Sequence, residues 1–284
     1  MKKIVSLALV AIMLVSCLFT LASCGQEELL IGKKYSALTA QSDVLLQLKA
    51  GSIDVGVMDS IMAGYYMSQD SAYSDSLMVV EGLTLATEQY GIAARKGSGF
   101  AKKINEALIA LANDGTIETL AAKYGIASEL CIDKTATVEP LTDSEKKDWD
   151  AIVSKGKFIV GYTLFAPIAY KDANDKLIGF DIELAEAVAE ALELDVEFQI
   201  IEWSAKEAKL NGGSIDCIWN GMTITEERQA AMEITMPYLN NKQVAVIRIA
   251  DKDKYTTKES MANAIMGAEA GSAGEACIKA PEAE

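Results

Sequence analysis

The chain predicts an α/β protein made of two units of similar design, and three observations lead there. Two segments, "LLQLKAGSIDVGVMDS" at 45–60 and "AKLNGGSIDCIWNGMT" at 208–223, share one signature: an amphipathic helix, a Gly-Ser turn, Ile-Asp and an apolar strand. A polar, charged, Pro-containing stretch without periodicity, "CIDKTATVEPLTDSEKKD" at 131–148, separates them and reads as a linker with a helix beginning near its end. Immediately after it a fresh alternation of strands and helices begins.

In chain order, "MKKIVSLALVAIMLVSCLFTLASCGQEE" has two lysines, an apolar run from Ile4 to Ala22 and a small-residue junction, the layout of an export signal. The run is nearly long enough to span a bilayer, so a transmembrane anchor is the rival reading. "LASC" resembles the lipobox of bacterial lipoproteins, which implies cleavage before Cys24 and acylation of that cysteine. "LVSC" at Cys17 also fits, but polar "GQEE" follows Cys24 whereas apolar chain follows Cys17.

"KYSALTA" at 34–40 reads as a strand ahead of the first repeated unit. "GFAKKINEALIALANDGTIETLAAKYGI" at 99–126 spaces Ile104, Leu108 and Leu111 as a helix, breaks at "NDG", and resumes through Leu120 and Tyr124, which predicts a helical hairpin. Beyond the linker come strand "KFIVGYT", turn "KDANDK", short strand "LIGF", helix "DIELAEAVAEALEL" and strand "DVEFQII". The acidic residues opening that helix suit its dipole. The end, "AIMGAEAGSAGEACIKAPEAE", reads as strand, Gly-rich loop and helix, with no strand after it to receive the helix.

Composition limits the function. Of 284 residues, 50% are hydrophobic and 24% charged, which fits a globular chain of one large or two modest domains. A formal charge of −15 without a Lys/Arg cluster argues against nucleic acid as a partner. The absence of histidine excludes Ser-His-Asp and Cys-His nucleophile systems and HExxH zinc sites. Cys131, Cys217 and Cys277 form an odd set without CxxC spacing, so neither a metal site nor a disulfide framework is expected, and no cofactor is implied.

From Lys157 to Ile249 the chain resembles the first half of the extracytoplasmic solute-binding proteins (family 3) of polar amino-acid ABC transporters. The resemblance is carried by "GYTLFAPIAY", "LIGFDIELAEAVAEAL" and "IIEWSAKEAKLNGGSIDCIWNGMTITEERQAAMEITMPYLNNKQVAV". "MGAEAGSAGEACIKA" looks like the family's next element. Its expected continuation, "KYSALTAQSDVLLQLKAGSIDVGVMDSIMAGYYM", stands at 34–67, and "LATEQYGIAARKGS" with the helical hairpin resembles the C-terminal return.

The resemblance therefore implies a two-lobed periplasmic-binding-protein-like fold (type II) in circularly permuted order. Its parts would be a lipoprotein signal peptide (1–23), a tether (24–33), the C-terminal part of the second lobe (34–88) and the return into the first lobe (89–130). After the linker (131–148) would come the N-terminal part of the first lobe (149–246) and of the second (247–284). About 18 linker residues reach up to about 60 Å when extended, enough to join termini on one lobe. A two-stranded hinge is expected near 85–92 and 242–250. Both a true permutation and a gene-rearrangement product remain open.

Site residues follow from the same resemblance. Arg228 in "ITEER" matches the arginine whose planar fork takes the α-carboxylate, and Asp59 in "VGVMDS" the acid that takes the α-ammonium. Asn220, Gly221 and Thr223 in "WNGMT" match positions giving backbone and hydroxyl contacts. Trp203 and Phe165 match aromatic walls, and Tyr162 stands where several members carry an acid. Gly271 and Ser272, with the N–H groups that begin the terminal helix, are expected to add donors from the second lobe. Glu269 in that loop would attract a cation, while Tyr162 in place of an acid points the other way, so the ligand stays open.

The implied protein is a monomeric, lipid-anchored, exported binder that closes over a free amino acid and hands it to an ABC transporter permease, without chemistry. Two rivals stand beside it. One is a dehydratase-like enzyme on the same fold with Glu269 as general acid, and the other a non-binding remnant that folds only as a swapped dimer.

Overall fold

A computed structural model describes residues 28–69 and 71–280. The expected export signal, Cys24, the first part of the expected tether and residues 281–284 lie outside the described residues. In chain order the elements are β1 (Lys34–Leu38), α1 (Gln41–Ala50), β2 (Val55–Asp59), α2 (Ser60–Gln69), α3 (Ser71–Ser74), β3 (Leu77–Arg95), α4 (Phe100–Asn113) and α5 (Thr116–Lys123). There follow α6 (Asp143–Lys155), β4 (Lys157–Tyr162), β5 (Tyr170–Lys171), β6 (Leu177–Ile178), α7 (Phe180–Ala191) and β7 (Asp195–Ile200). The chain continues with α8 (Lys206–Asn211), β8 (Cys217–Thr223), α9 (Glu226–Ala231), β9 (Met232–Ile234), β10 (Leu239–Arg248), β11 (Ile265–Glu269) and α10 (Ala273–Ile278).

Local chemistry explains the boundaries. Helix α1 ends at Gly51, whose φ of +73° suits a residue without Cβ, and its C-cap N–H returns to Gln47 and Leu48. Helix α4 buries Phe100, Ile104, Ala107, Leu108 and Leu111, the stripe its spacing predicts. Within the expected linker, Thr142 caps α6 in a reciprocal arrangement with Glu145. The rest of that stretch lies along the adjoining lobe: the Cys131 N–H donates to Tyr238 O at 3.1 Å, and from α4 Asn113 Nδ2 donates to Lys134 O at 3.1 Å and Lys102 Nζ to Pro140 O at 3.4 Å.

Strands β1, β11 and β2 run parallel on one side, and β8, β4 and β7 run parallel on the other. Between these blocks β10 and β3 pair antiparallel with each other, β10 also with β2 and β3 also with β8. The order is β1-β11-β2-β10-β3-β8-β4-β7, with β9 on the flank of β3. Strand β3 is 19 residues long and β10 is 10, because both run from one lobe into the other.

These two strands are the crossing where a two-stranded hinge was expected, and the expected lobe boundaries at 88/89 and 246/247 fall inside them. Their register slips on either side of Val244, which pairs with Thr84 while Val246 pairs with Val79. Such irregularity bends a ribbon locally. The terminal strand does find a neighbour. Lys34 to Leu38 align residue by residue with Ile265 to Glu269, and α10 packs on β11 and β2.

Candidate functional site

The parallel strands of both blocks deliver polar residues from their C-terminal ends into the crevice between the lobes, where ligands of open α/β sheets bind. One narrow cavity there is lined by Gln41, Asp59, Thr163, Phe165, Trp203, Asn220, Gly221, Thr223, Arg228, Gln243, Glu269, Ser272 and Ala273. Strand β2 ends on Asp59, β8 carries Asn220, Gly221 and Thr223, β11 ends on Glu269, and Arg228 stands on α9. Nine of the eleven residues singled out from the sequence therefore meet at one place.

Arg228 is held without an acid. Its guanidinium donates through one terminal nitrogen to Thr223 O at 2.8 Å and through the other to Gly271 O at 3.2 Å, and the second bond crosses the cleft. Among the described residues no carboxylate forms an ion pair with it. Burial lowers its pKa while the charges of Glu207, Glu88, Glu227 and Asp59 pull it back up, so this half-buried cation is balanced by acids at a distance and, among the described residues, by none in contact.

Asp59 on the other lobe is 4% exposed and accepts from Tyr90 Oη at 2.8 Å, Gln243 Nε2 at 2.8 Å, Gln41 Nε2 and Asn241 Nδ2. Strand register explains the cluster. Gln243 lies opposite Asp59 across the β10–β2 ladder, and Asn241 opposite Glu88 across the β10–β3 ladder, so two carboxylates flank a pair of amides. Glu88 accepts from Gln243 Nε2 at 2.8 Å and Thr223 Oγ1 at 3.0 Å. Burial first, and then the charge of Glu88, raises the Asp59 pKa well above the usual carboxylate range.

Glu269, also 4% exposed, is pushed up to about 8 by burial, partly offset by the charge of Lys206. Lys206 is pulled down to about 8 by burial and by the charge of Arg228. Its ammonium donates to Gly271 O at 3.1 Å and sits 5.0 Å from the centre of the Trp203 ring. The Gly271 carbonyl thus draws two cations of the opposite lobe.

Some expectations need correction. Tyr162 does not line the cavity. It is buried with Ala169 and Ile182, edge-on to Phe198 at 6.2 Å, because neighbours on an extended chain face opposite sides and Thr163 takes the cleft side. The Gly271 N–H donates to Glu275 Oε2 at 2.6 Å and the Ser272 N–H to Glu269 O at 3.2 Å, so these are not the free donors expected.

Gly221 likewise spends its N–H on buried Asp181 at 2.8 Å. Its glycine identity has another cause: φ is +60°, and a Cβ there would stand 2.7 Å from the Phe165 ring. Sequence reasoning passed over Gln41, Thr163, Gln243 and Ala273 in the lining, and Glu88, Tyr90, Asn241 and Lys206 behind it. A signal existed for four of these. Polar residues at alternate positions, 241 and 243 in "NNKQVAV" and 88 and 90 in "TEQY", share a strand face, which is unusual for crossing strands otherwise rich in apolar residues.

Fold and site together define a two-lobed α/β protein that gathers a half-buried guanidinium and buried carboxylates in the cleft between its lobes. Residues 158–268 match the bacterial extracellular solute-binding proteins, family 3. Over 96 residues the chain is 34% identical to the probable amino-acid-binding protein YxeM of Bacillus subtilis (strain 168), covering 34% of each chain. Over 87 residues it is 38% identical to a probable amino-acid ABC transporter-binding protein of Haemophilus influenzae, covering 31% of this chain and 34% of that one.

Against the crystal structure of the arginine-bound form of domain 1 from TmArgBP the identity is 30%, covering 37% of this chain and 89% of that one, with a TM-score of 0.31. The chain spans about a third of the length of the first two relatives. Over residues 158–268 the chain is similar to the bacterial extracellular solute-binding proteins, family 3, and its architecture is the type II periplasmic-binding-protein-like α/β fold.

Proposed function

We propose that the protein captures a free amino acid between its lobes and delivers it to the permease of an ABC transporter. The observation that carries this reading is Arg228, a half-buried guanidinium that forms no ion pair among the described residues, sharing one cavity with the buried carboxylate of Asp59 from the other lobe. An α-amino acid is the complementary zwitterion. Its carboxylate neutralises Arg228, its ammonium neutralises Asp59, and contact with both lobes favours the closed state over the open one. Ser272, Thr223, Asn220, Trp203 and Phe165 complete the walls. A thermal-shift screen against the twenty amino acids, followed by calorimetry on each hit, tests the reading. A protein whose melting responds to none of them does not do this job.

The segment order is read as a circular permutation within one monomer. The parallel pairing of β1 with β11 and the course of residues 130–142 along the lobe of β4 and β8 support it. A chain rebuilt as 149–280 followed by 34–130 should fold and bind alike, and light scattering on the native chain distinguishes a monomer from a swapped dimer. Export with lipid attachment at Cys24 completes the proposal, and mass spectrometry of membrane-extracted protein tests it. A dehydratase reading draws support from one observation, the buried Glu269 carboxyl that stays protonated near neutrality. Turnover of a small carboxylate without amino-acid binding would decide for it.

A further inference from the structure

Resting on the amino-acid reading above, the residues around the cavity also restrict the ligand's side chain. Five side-chain donors of the lining are already committed. Arg228 is bonded to two carbonyls, Gln41 Nε2 to Asp59, Asn220 Nδ2 to Thr163 at 2.8 Å, Gln243 Nε2 to Asp59 and Glu88, and Thr223 Oγ1 to Glu88. The acceptors are not. Asn220 Oδ1, Gln243 Oε1 and Glu269 Oε1 are buried without any hydrogen-bond partner, on residues 3%, 1% and 4% exposed, and all three residues line this one cavity.

Buried acceptors left unmatched are costly and native proteins avoid them, so three in one cleft mark where a ligand's N–H groups belong. Gln243 adjoins Asp59 and can take part of the α-ammonium. Asn220 and Glu269 remain for the side chain, with the Trp203 and Phe165 rings beside them to cover its stem. Lys206 does not fill this need: its ammonium is held by Trp203 O at 3.4 Å and Gly271 O at 3.1 Å, and no ion pair joins it to Glu269 among the described residues. Tyr162, the residue that argued against a cation, is outside the lining.

We propose that the cleft selects an amino acid with a cationic, donor-rich side chain, a guanidinium or a primary ammonium, which donates to Glu269 and Asn220. A cationic side chain favours ionisation of Glu269, whereas an acidic one would oppose it. An aliphatic one would leave both acceptors dry, and an amide offers one donor group but no charge.

The experiment is calorimetry on the full chain at pH 7.5 with L-arginine, L-lysine, L-glutamine, L-leucine and L-glutamate. Arginine or lysine should bind at least about tenfold more tightly than glutamine or leucine, and glutamate most weakly, as expected for a desolvated charge pair. Glu269→Gln should shrink the cationic-to-glutamine ratio to within about threefold. Glutamine, leucine or glutamate binding as tightly as both cationic ligands overturns the inference and leaves amino-acid capture standing, whatever the variant does. An unchanged ratio in a folded Glu269→Gln protein also overturns it. Binding of none of the twenty amino acids removes the inference and the reading it rests on together.

Discussion

Replacing Glu269 by Gln, in the empty protein, should change how stability depends on pH. The carboxyl is raised from an ordinary 4.5 to about 8 by burial, so the folded state holds its proton more tightly than the unfolded chain does. Below pH 4.5 both states carry the proton and the contribution is complete. As pH rises towards 8 the unfolded chain releases it first, and folding loses about 1.4 kcal/mol per pH unit, to a limit of about 5 kcal/mol. Above about 8 the carboxylate is ionised in both states and the loss is finished.

Glutamine keeps the side chain's shape and cannot ionise. The difference between parent and variant cancels the titration of every other group, Asp59 included. Lys206, pulled down to about 8, stays protonated through most of the window. Urea denaturation between pH 5.5 and 7.5 should therefore show the variant gaining about 2–3 kcal/mol on the parent. A difference flat to within about 0.5 kcal/mol over that range would mean that water reaches Glu269 in the native state and that the burial argument is wrong.

Other outcomes follow from the same geometry. Arg228→Ala should weaken amino-acid binding at least about 100-fold by calorimetry, since a ligand carboxylate loses its only guanidinium in a dry cleft. Asp59→Asn should weaken it at least about tenfold, because the α-ammonium then meets an amide with Glu88 as the remaining charge. Gly221→Ala should cost about 1–3 kcal/mol in urea denaturation, from a φ of +60° and a methyl carbon 2.7 Å from the Phe165 ring. In that last case an unchanged midpoint would show that Phe165 moves freely.

Much of the fold was legible because its signals are local. Turn glycines, the 3.6-residue stripe of α4 and the Thr142–Glu145 cap act within a few residues, and the structure has each element close to where its pattern lies. Arg228 and Asp59 were found through motif resemblance rather than through patterning. Tyr162 misled because a motif gives position along the chain, while the side of the strand decides what a residue touches. Glu88, Asn241, Gln243 and Lys206 were missed because their significance is relational.

By itself, then, the sequence determined the α/β class, the two similar units, the order of the elements and a group of candidate site residues. It does so through periodicity and turn chemistry, which depend on near neighbours alone. Only the tertiary structure decided which donors are already spent and which acceptors stand unpartnered, and that Arg228 forms no ion pair among the described residues. Those depend on atoms brought together from positions as far apart as Asp59 and Gln243, which only the shared ladder of β2 and β10 makes neighbours. Burial then turns that proximity into shifted ionisation at Asp59, Lys206 and Glu269, since a charge deprived of water answers to the few groups left around it.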